Sequence, residues 1–168
     1  HRCFLARPAL YSPSLLPLLM RDGLHVISGQ PWRLATSLLV QDGGWGGTVF
    51  NLIGLLAIGP LAESLLGRQL WAAVAGISVI LTQIVALSWQ PIGAGNSILD
   101  FGLAGAVCAT CLMSRSVRQA LIPAVGACTC FVLLVFMRDI HGVAGVIGAL
   151  AALVFLFFAK RGKQAVDA

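Results

Sequence analysis

Gly93-Ala94-Gly95-Asn96-Ser97-Ile98-Leu99-Asp100-Phe101-Gly102-Leu103-Ala104-Gly105-Ala106 lies near the middle of the chain, with long apolar runs on both sides. The stretch opens as a glycine-rich turn and continues as an apolar helix, and Ser97 stands at the change-over. A hydroxyl at that point faces a water-accessible turn while the residues after it enter an apolar medium. A serine needs a base before it can act as a nucleophile. The chain has three histidines, His1, His25 and His141, and only His141 opens a later apolar segment. The rest of the sequence reads as scaffold for that pair.

The medium follows from composition. Of 168 residues, 58% are hydrophobic and only 10% charged, whereas a soluble domain carries about 25% charged residues. The mean hydropathy is +0.92. These values predict an all-α, polytopic membrane helical bundle forming one domain over residues 1–168. The formal net charge of +5 does not point to nucleic acid, because the basic residues sit at the ends of apolar runs, where they set topology. Cys3, Cys108, Cys111, Cys128 and Cys130 have no metal-site pattern beyond the close 108/111 spacing, and the last four fall inside apolar runs. They read as small packing residues, and no metal or cofactor is expected. His1 is not a start methionine, so the chain reads as a fragment or a trimmed form.

Taken in order, residues 1–20 are apolar but broken by Pro8, Pro13 and Pro17, which suits a re-entrant or interfacial segment better than a clean span. Residues 24–45 read as a structured loop in the headgroup layer, with Trp32 and Trp45 at the membrane interface. Five candidate spans come next, within residues 47–160: Thr48 to Leu66, interrupted at Gly59-Pro60; Gln69 to Trp89; Ser97 to Met113; Gln119 to Met137; and Val143 to Ala159, starting as early as Ile140. Each approaches the ~20 residues that a bilayer core requires. Residues 161–168 read as a tail.

Charge counting orients the bundle. Arg68, Arg115, Arg118, Lys160, Arg161 and Lys163 fall on one side; Arg21, Arg33 and Arg138 fall on the other. The positive-inside rule makes the first group cytoplasmic. Ser97 and His141 then begin their spans at similar depth on the outer side. Gly145 and Gly148 come after His141 at i+4 and i+7, and the third span offers Gly102 and Gly105. Small residues let membrane helices approach closely, so spans three and five are expected to pack together and bring Ser97 and His141 within hydrogen-bond reach. Gly142, about 100° around the helix from His141, is expected to tolerate alanine better than Gly148. Asp100, one turn into span three, is expensive in lipid. It is expected to be protonated or paired with loop donors, with a place beside the histidine as the lesser alternative.

These residues resemble the rhomboid intramembrane serine proteases. Gly95-Asn96-Ser97 looks like the start of the family's G-x-S-G motif, and Phe101-Gly102-Leu103-Ala104-Gly105-Ala106 is similar to the helix that continues from the family's serine. Gly59-Pro60-Leu61-Ala62-Glu63-Ser64-Leu65-Leu66-Gly67 matches G-x-x-x-E-x-x-x-G, the most specific of these signals. Trp32-Arg33 resembles the W-R pair of the family's membrane-embedded first loop, and Asn51 falls at the asparagine of H-x-x-x-N. The likeness covers about residues 24–160. It departs at Ile98, which stands where the family has a glycine; at Gly47, which stands where it has the oxyanion-hole histidine; and at Gly145, one residue late against H-x-x-G-x-x-x-G. The first helix of the six-helix core is not visible, so it reads as truncated or missing.

The resemblance implies an integral protein of a bacterial inner membrane, opening to the outer face, that cleaves transmembrane protein substrates by a Ser97–His141 dyad. Asn51 and the Ser97 N–H would bind the oxyanion, with Gln41 or loop backbone in place of the missing histidine. Phe101 would stack on His141. Gly95, Trp32 and Arg33 would support the loops, and Glu63 would be buried and hydrogen-bonded, holding a loop or helix end. The alternative is an inactive rhomboid-like protein that binds transmembrane segments. No inverted repeat is visible, which leaves a small-molecule transporter behind both. Oligomeric state is not legible.

Overall fold

The computed structural model describes residues 15–113 and 121–166. The first fourteen residues, the connection that carries Arg115 and Arg118, and the expected start of the fourth span at Gln119 lie outside them. Among the described residues, eight helices and one short ladder run in the order α1 (Leu16–Leu19), β1 (Arg21–Asp22), α2 (Gly23–Ile27), α3 (Arg33–Thr36), α4 (Gly44–Leu66), α5 (Arg68–Trp89), β2 (Ile92–Gly93), α6 (Ser97–Met113), α7 (Leu121–Phe136) and α8 (Ile140–Val166).

The five expected spans are α4 to α8. Three of them are long and apolar enough to cross a membrane: Gly44–Leu66, Arg68–Trp89 and Ile140–Ala159. At 1.5 Å per residue, α4 is about 35 Å long, enough for the ~30 Å hydrocarbon layer. The other two, α6 and α7, are apolar but shorter, with 17 and 16 residues. α4 starts four residues before the expected Thr48 and runs through Pro60 without a break. Pro60 leaves the carbonyl one turn earlier without its helical donor, and the continuing α4 absorbs that loss. Gly67 then ends α4 at φ 78°, a conformation that glycine adopts readily, and α5 begins at the next residue. α8 continues to Val166, so the fifth span and the basic residues after it form one helix.

Large apolar side chains point outward. Phe50 is 70% exposed, Ile53 61%, Leu56 76%, Ile122 84%, Phe136 82% and Phe158 62%. A water-soluble molecule this size does not present such continuous apolar surface; a lipid-facing bundle does. The interior is made of small residues instead. Ala62, Ala75 and Leu103 form one buried cluster, Ala106, Ala109 and Ala152 lie in a second with Val74 and Leu66, and Ala86, Ala144, Ile98 and Ile140 form a third.

α6 sits at the centre and touches α4, α5, α7 and α8. Its contact with α8 is backbone on backbone. A Cβ added to Gly105 would overlap the Gly145 carbonyl, and one added to Gly148 would overlap the Gly102 carbonyl. The expected pairing of the two glycine-bearing spans is therefore present. Gly142, expected to tolerate alanine better than Gly148, is crowded as well. A Cβ there would meet the Phe131 carbonyl oxygen at 2.5 Å and Leu134 Cβ at 2.6 Å. α8 is packed against α5, α6 and α7, so rotating about 100° from the face on α6 leads into the one on α7.

The ladder is absent from the sequence expectation. β1 pairs antiparallel with β2, Arg21 opposite Gly93 and Asp22 opposite Ile92. It ties the segment before the spans to the turn that leads into Ser97. Arg21 fits over Gly93 because no side chain stands there; a Cβ would lie 2.9 Å from Arg21 Nη2.

Candidate active site

The helix starts and ends gathered at one end of the bundle build the site. Ser97 is the first residue of α6. Gly95 before it has φ 128°, and its N–H donates to the Ser37 carbonyl at 2.8 Å. A Cβ at Gly95 would also lie 2.9 Å from Gln41 Oε1 and 3.4 Å from Asn51 Nδ2. Both the backbone angle and the lack of room require glycine here. His141 is the second residue of α8, and its Nε2 lies 2.8 Å from Ser97 Oγ. The sequence expectation of hydrogen-bond reach is met. Phe101, one turn after Ser97, holds its ring centroid 4.9 Å from that of His141 at an interplanar angle of 54°. On its other side it meets Phe131 edge to face at 6.1 Å.

Two features of this site are not read from the sequence. The first is Asp139. Its Oδ1 lies 2.6 Å from His141 Nδ1 and accepts the His141 backbone N–H at 2.8 Å. A carboxylate accepts, so Nδ1 carries the proton and Nε2 is left to accept from the Ser97 hydroxyl. The available signal is an aspartate directly before an apolar helical run, the sequence mark of a helix cap; charge counting passes over it.

The second is a chain of buried side-chain amides. Asn51 Nδ2 donates to Gln41 Oε1 at 2.9 Å, Gln41 Nε2 donates to Asn96 Oδ1, and Asn96 Nδ2 donates to both oxygens of Asp100 at 3.2 and 3.1 Å. Gln41, Asn96 and Asp100 are 6%, 5% and 5% exposed. Asp100 thus takes the loop-donor pairing and has no contact with His141; its carboxylate serves Asn96. Gln41 does stand beside Asn51, as the sequence reading allows.

Trp32, Arg33 and Glu63 are not brought to the reacting groups. Arg33 is buried and ties the early loop together, donating to Gln30 Oε1 at 2.6 Å, the Pro17 carbonyl at 2.8 Å and the Met20 carbonyl at 3.2 Å. Trp32 is exposed at the same end as Trp45 and Trp89, which suits an interfacial aromatic belt. Glu63 corrects the sequence reading. It is exposed, and its side chain makes no hydrogen bond among the described residues. It lies twelve residues beyond Asn51 on α4, about 18 Å along the axis, where a carboxylate can reach water or headgroups without a protein partner.

A cavity of about 430 Å3 opens onto Ser97 and His141, lined also by Asn51, Gly95, Phe101 and Asp139. That volume lies within the usual range for a binding cleft. Arg21 forms part of the opposite wall, with Nε and Nη2 donating to the Gln90 carbonyl at 3.2 and 2.9 Å and Nη1 to Gln83 Oε1. Burial lowers its pKa from the ordinary arginine value, and Asp42 nearby pulls the other way. No group of three or more His, Cys, Asp or Glu side chains that could hold a metal occurs among the described residues.

A family model of the Rhomboid domain matches residues 28–162. The chain belongs to the rhomboid family. It is an integral membrane protein, and the three long apolar helices together with the two shorter ones form a rhomboid-like all-α bundle. No curated protein matches the chain. The match takes in α3 to α7 and most of α8, and therefore every side chain of the site from Gln41 to His141. Rhomboid-family chains include intramembrane serine proteases and divergent members without activity, and the arrangement of this site bears on that choice.

Proposed function

We propose that this rhomboid is an intramembrane serine protease that cleaves transmembrane protein substrates with Ser97 and His141. The observation that carries the reading is the 2.8 Å approach of Ser97 Oγ to His141 Nε2 at the wall of a cavity within a membrane bundle. His141 Nε2 takes the Ser97 proton as Oγ attacks the substrate carbonyl. The carbonyl carbon becomes tetrahedral and its oxygen takes the negative charge. As the first residue of α6, Ser97 has a backbone N–H free of any intrahelical acceptor. That N–H and the second N–H of the Asn51 amide are the donors for the oxyanion. The imidazolium then returns the proton to the leaving amine, and water, deprotonated by the same ring, hydrolyses the acyl-enzyme.

A second reading is favoured by Gly47, where no side chain supplies an oxyanion donor and nothing lies within 4 Å of the missing Cβ. It is a rhomboid-like protein that holds transmembrane segments without cutting them. Labelling with a fluorophosphonate probe decides between them. The protease reading expects covalent labelling of the native chain, none of Ser97→Ala, and cleavage of a model transmembrane substrate by the native chain alone. Absence of both labelling and cleavage in a folded, membrane-inserted native chain would leave the binding reading. For this site the proposal includes a bacterial inner membrane and an opening toward the outer face.

A further inference from the structure

We propose that Asp139 is a positioning residue that holds the His141 ring for Ser97, making a three-membered Ser97–His141–Asp139 chain. The geometry comes from the connection between α7 and α8. The Asp139 N–H donates to the Leu134 carbonyl at 2.9 Å and the Arg138 N–H donates to the Val135 carbonyl at 2.9 Å. This closes α7 with a Schellman motif whose left-handed residue is Arg138, at φ 58°. Arginine in place of the usual glycine makes the corner costly, and the corner is what leaves only one residue between Asp139 and the helical His141. The Asp139 carboxylate is thereby delivered to the ring nitrogen remote from Ser97. One oxygen, Oδ1, meets both the His141 N–H at 2.8 Å and Nδ1 at 2.6 Å.

A simpler role is contained in the same atoms. Asp139 precedes α8, and an aspartate there accepting the N–H two residues on is an ordinary helix cap. Capping alone does not require the ring contact, which is the shorter of the two. Half-burial also fits orientation better than a strong charge effect. The His141 and Asp139 side chains are 32% and 34% exposed, so water screens their Coulombic attraction. What survives screening is direction: Nδ1 is committed as donor, and Nε2 is kept bare and aimed at the Ser97 hydroxyl while the tilted Phe101 ring lies against the imidazole. An amide at position 139 has a single acceptor oxygen: it can keep the cap, or it can turn its NH2 toward Nδ1, which moves the ring proton to Nε2, where it blocks proton uptake, and gives up the cap.

The consequence for rate rests on the protease reading; the consequence for the ring does not. The experiment therefore has two readouts on the full chain in detergent micelles. Nitrogen-15 spectra of the imidazole, assigned by loss of the signal in His141→Gln, report which ring nitrogen is protonated. Fluorophosphonate labelling reports the reactivity of Ser97. The native chain is expected to hold its neutral ring with the proton on Nδ1. Asp139→Asn, with a melting temperature lowered by no more than one lost helix cap, is expected to shift the proton toward Nε2 and to slow labelling on the order of 10²-fold, less than the ~10⁴-fold known for the equivalent change in a buried triad because this pair is partly exposed. A ring unchanged in Asp139→Asn would overturn the proposal and leave Asp139 as a cap. So would a shifted ring with native labelling, or slowed labelling with an unmoved ring. If the native chain does not label at all, the protease reading fails, and the ring spectra still decide whether Asp139 positions His141.

Discussion

At the residue scale, the site depends on directions more than on distances. An amide can present either end, and the chain Asp100–Asn96–Gln41–Asn51 fixes which end each one presents. The carboxylate draws Asn96 Nδ2, so Asn96 shows oxygen to Gln41 Nε2, and Gln41 shows oxygen to Asn51. Asn51 is left with its nitrogen toward the site. Asp100→Asn should release that sequence, because two amides in contact are satisfied either way round. The expected result is a loss of up to about 10²-fold in kcat on a transmembrane substrate, the scale of one oxyanion donor, with a small effect on KM. The double variant Asn96→Asp/Asp100→Asn should recover much of it, since an aspartate at 96 still accepts from Gln41 while an asparagine at 100 still donates to it. Native kcat in the single variant, or no recovery in the double one, would show that Asn51 is oriented by something else. Ser97 and His141 are legible in the sequence because a serine at a glycine turn and a histidine at a helix start are rare in apolar surroundings. The amide chain is not, since its four members lie up to 59 positions apart and ordinary polar loop residues carry no mark of their partners. Glu63 misleads for the same reason: a carboxylate in an apolar run signals cost, not which way the side chain turns.

At the element scale, glycine decides where α8 lies. The small residues at 102, 105, 145 and 148 are legible as a close-packing surface, and α6 and α8 do meet through them. The second tight face of α8 is not legible. Gly142 and Gly145 point at α7, where a Cβ on Gly145 would meet the Phe131 ring at 2.5 Å, and periodicity alone cannot separate two adjacent crowded faces. The helix ends are likewise legible only approximately, because in an apolar run the terminus is set by caps and corners such as Gly67 and Arg138 rather than by a change in hydropathy. The contacts predict a graded series. Gly148→Ala and Gly142→Ala both place a methyl into neighbouring backbone that cannot swing away, and each should destabilise by about 1–3 kcal/mol. Gly76→Ala and Gly126→Ala place it in open space and should be neutral or stabilising by up to ~1 kcal/mol, the helix-propensity gain over glycine. Gly148→Leu should remain inserted yet lose most cleavage, because a shift of about 1 Å between reacting groups costs on the order of 10²-fold. Thermal melts in detergent, run beside substrate cleavage, check the series. A Gly148→Ala melt matching that of Gly76→Ala would mean α6 and α8 do not touch as described.

At the scale of the whole molecule, the question is which way the cavity faces. Trp32, Trp45 and Trp89 mark one membrane interface, at the end that holds Ser97 and His141. At the other end, the Arg161 guanidinium lies over the Phe157 ring, 4.4 Å from its centroid. The structure also sharpens the charge asymmetry. Arg21 and Arg33, counted with the outer side, are 4% and 5% exposed and are occupied with backbone and side-chain acceptors. Their charges are committed within the loop fold, so Arg138 is the remaining member of that group. Arg68, Arg161 and the basic residues flanking them in sequence stand against it. The positive-inside rule counts short loops of this kind, and on that rule the Ser97 end is expected outside. The expectation can be checked in a background in which the five native cysteines are replaced by alanine. Ser28→Cys lies in the exposed loop at the Ser97 end, and Gln69→Cys is exposed at the start of α5 at the opposite end. A membrane-impermeant maleimide added to intact bacterial cells should modify the cysteine at 28 at once and the one at 69 only after the membrane is opened. The reverse pattern would turn the molecule over: Ser97 would then face the cytoplasm, and any protease reading would need substrates presented from that side.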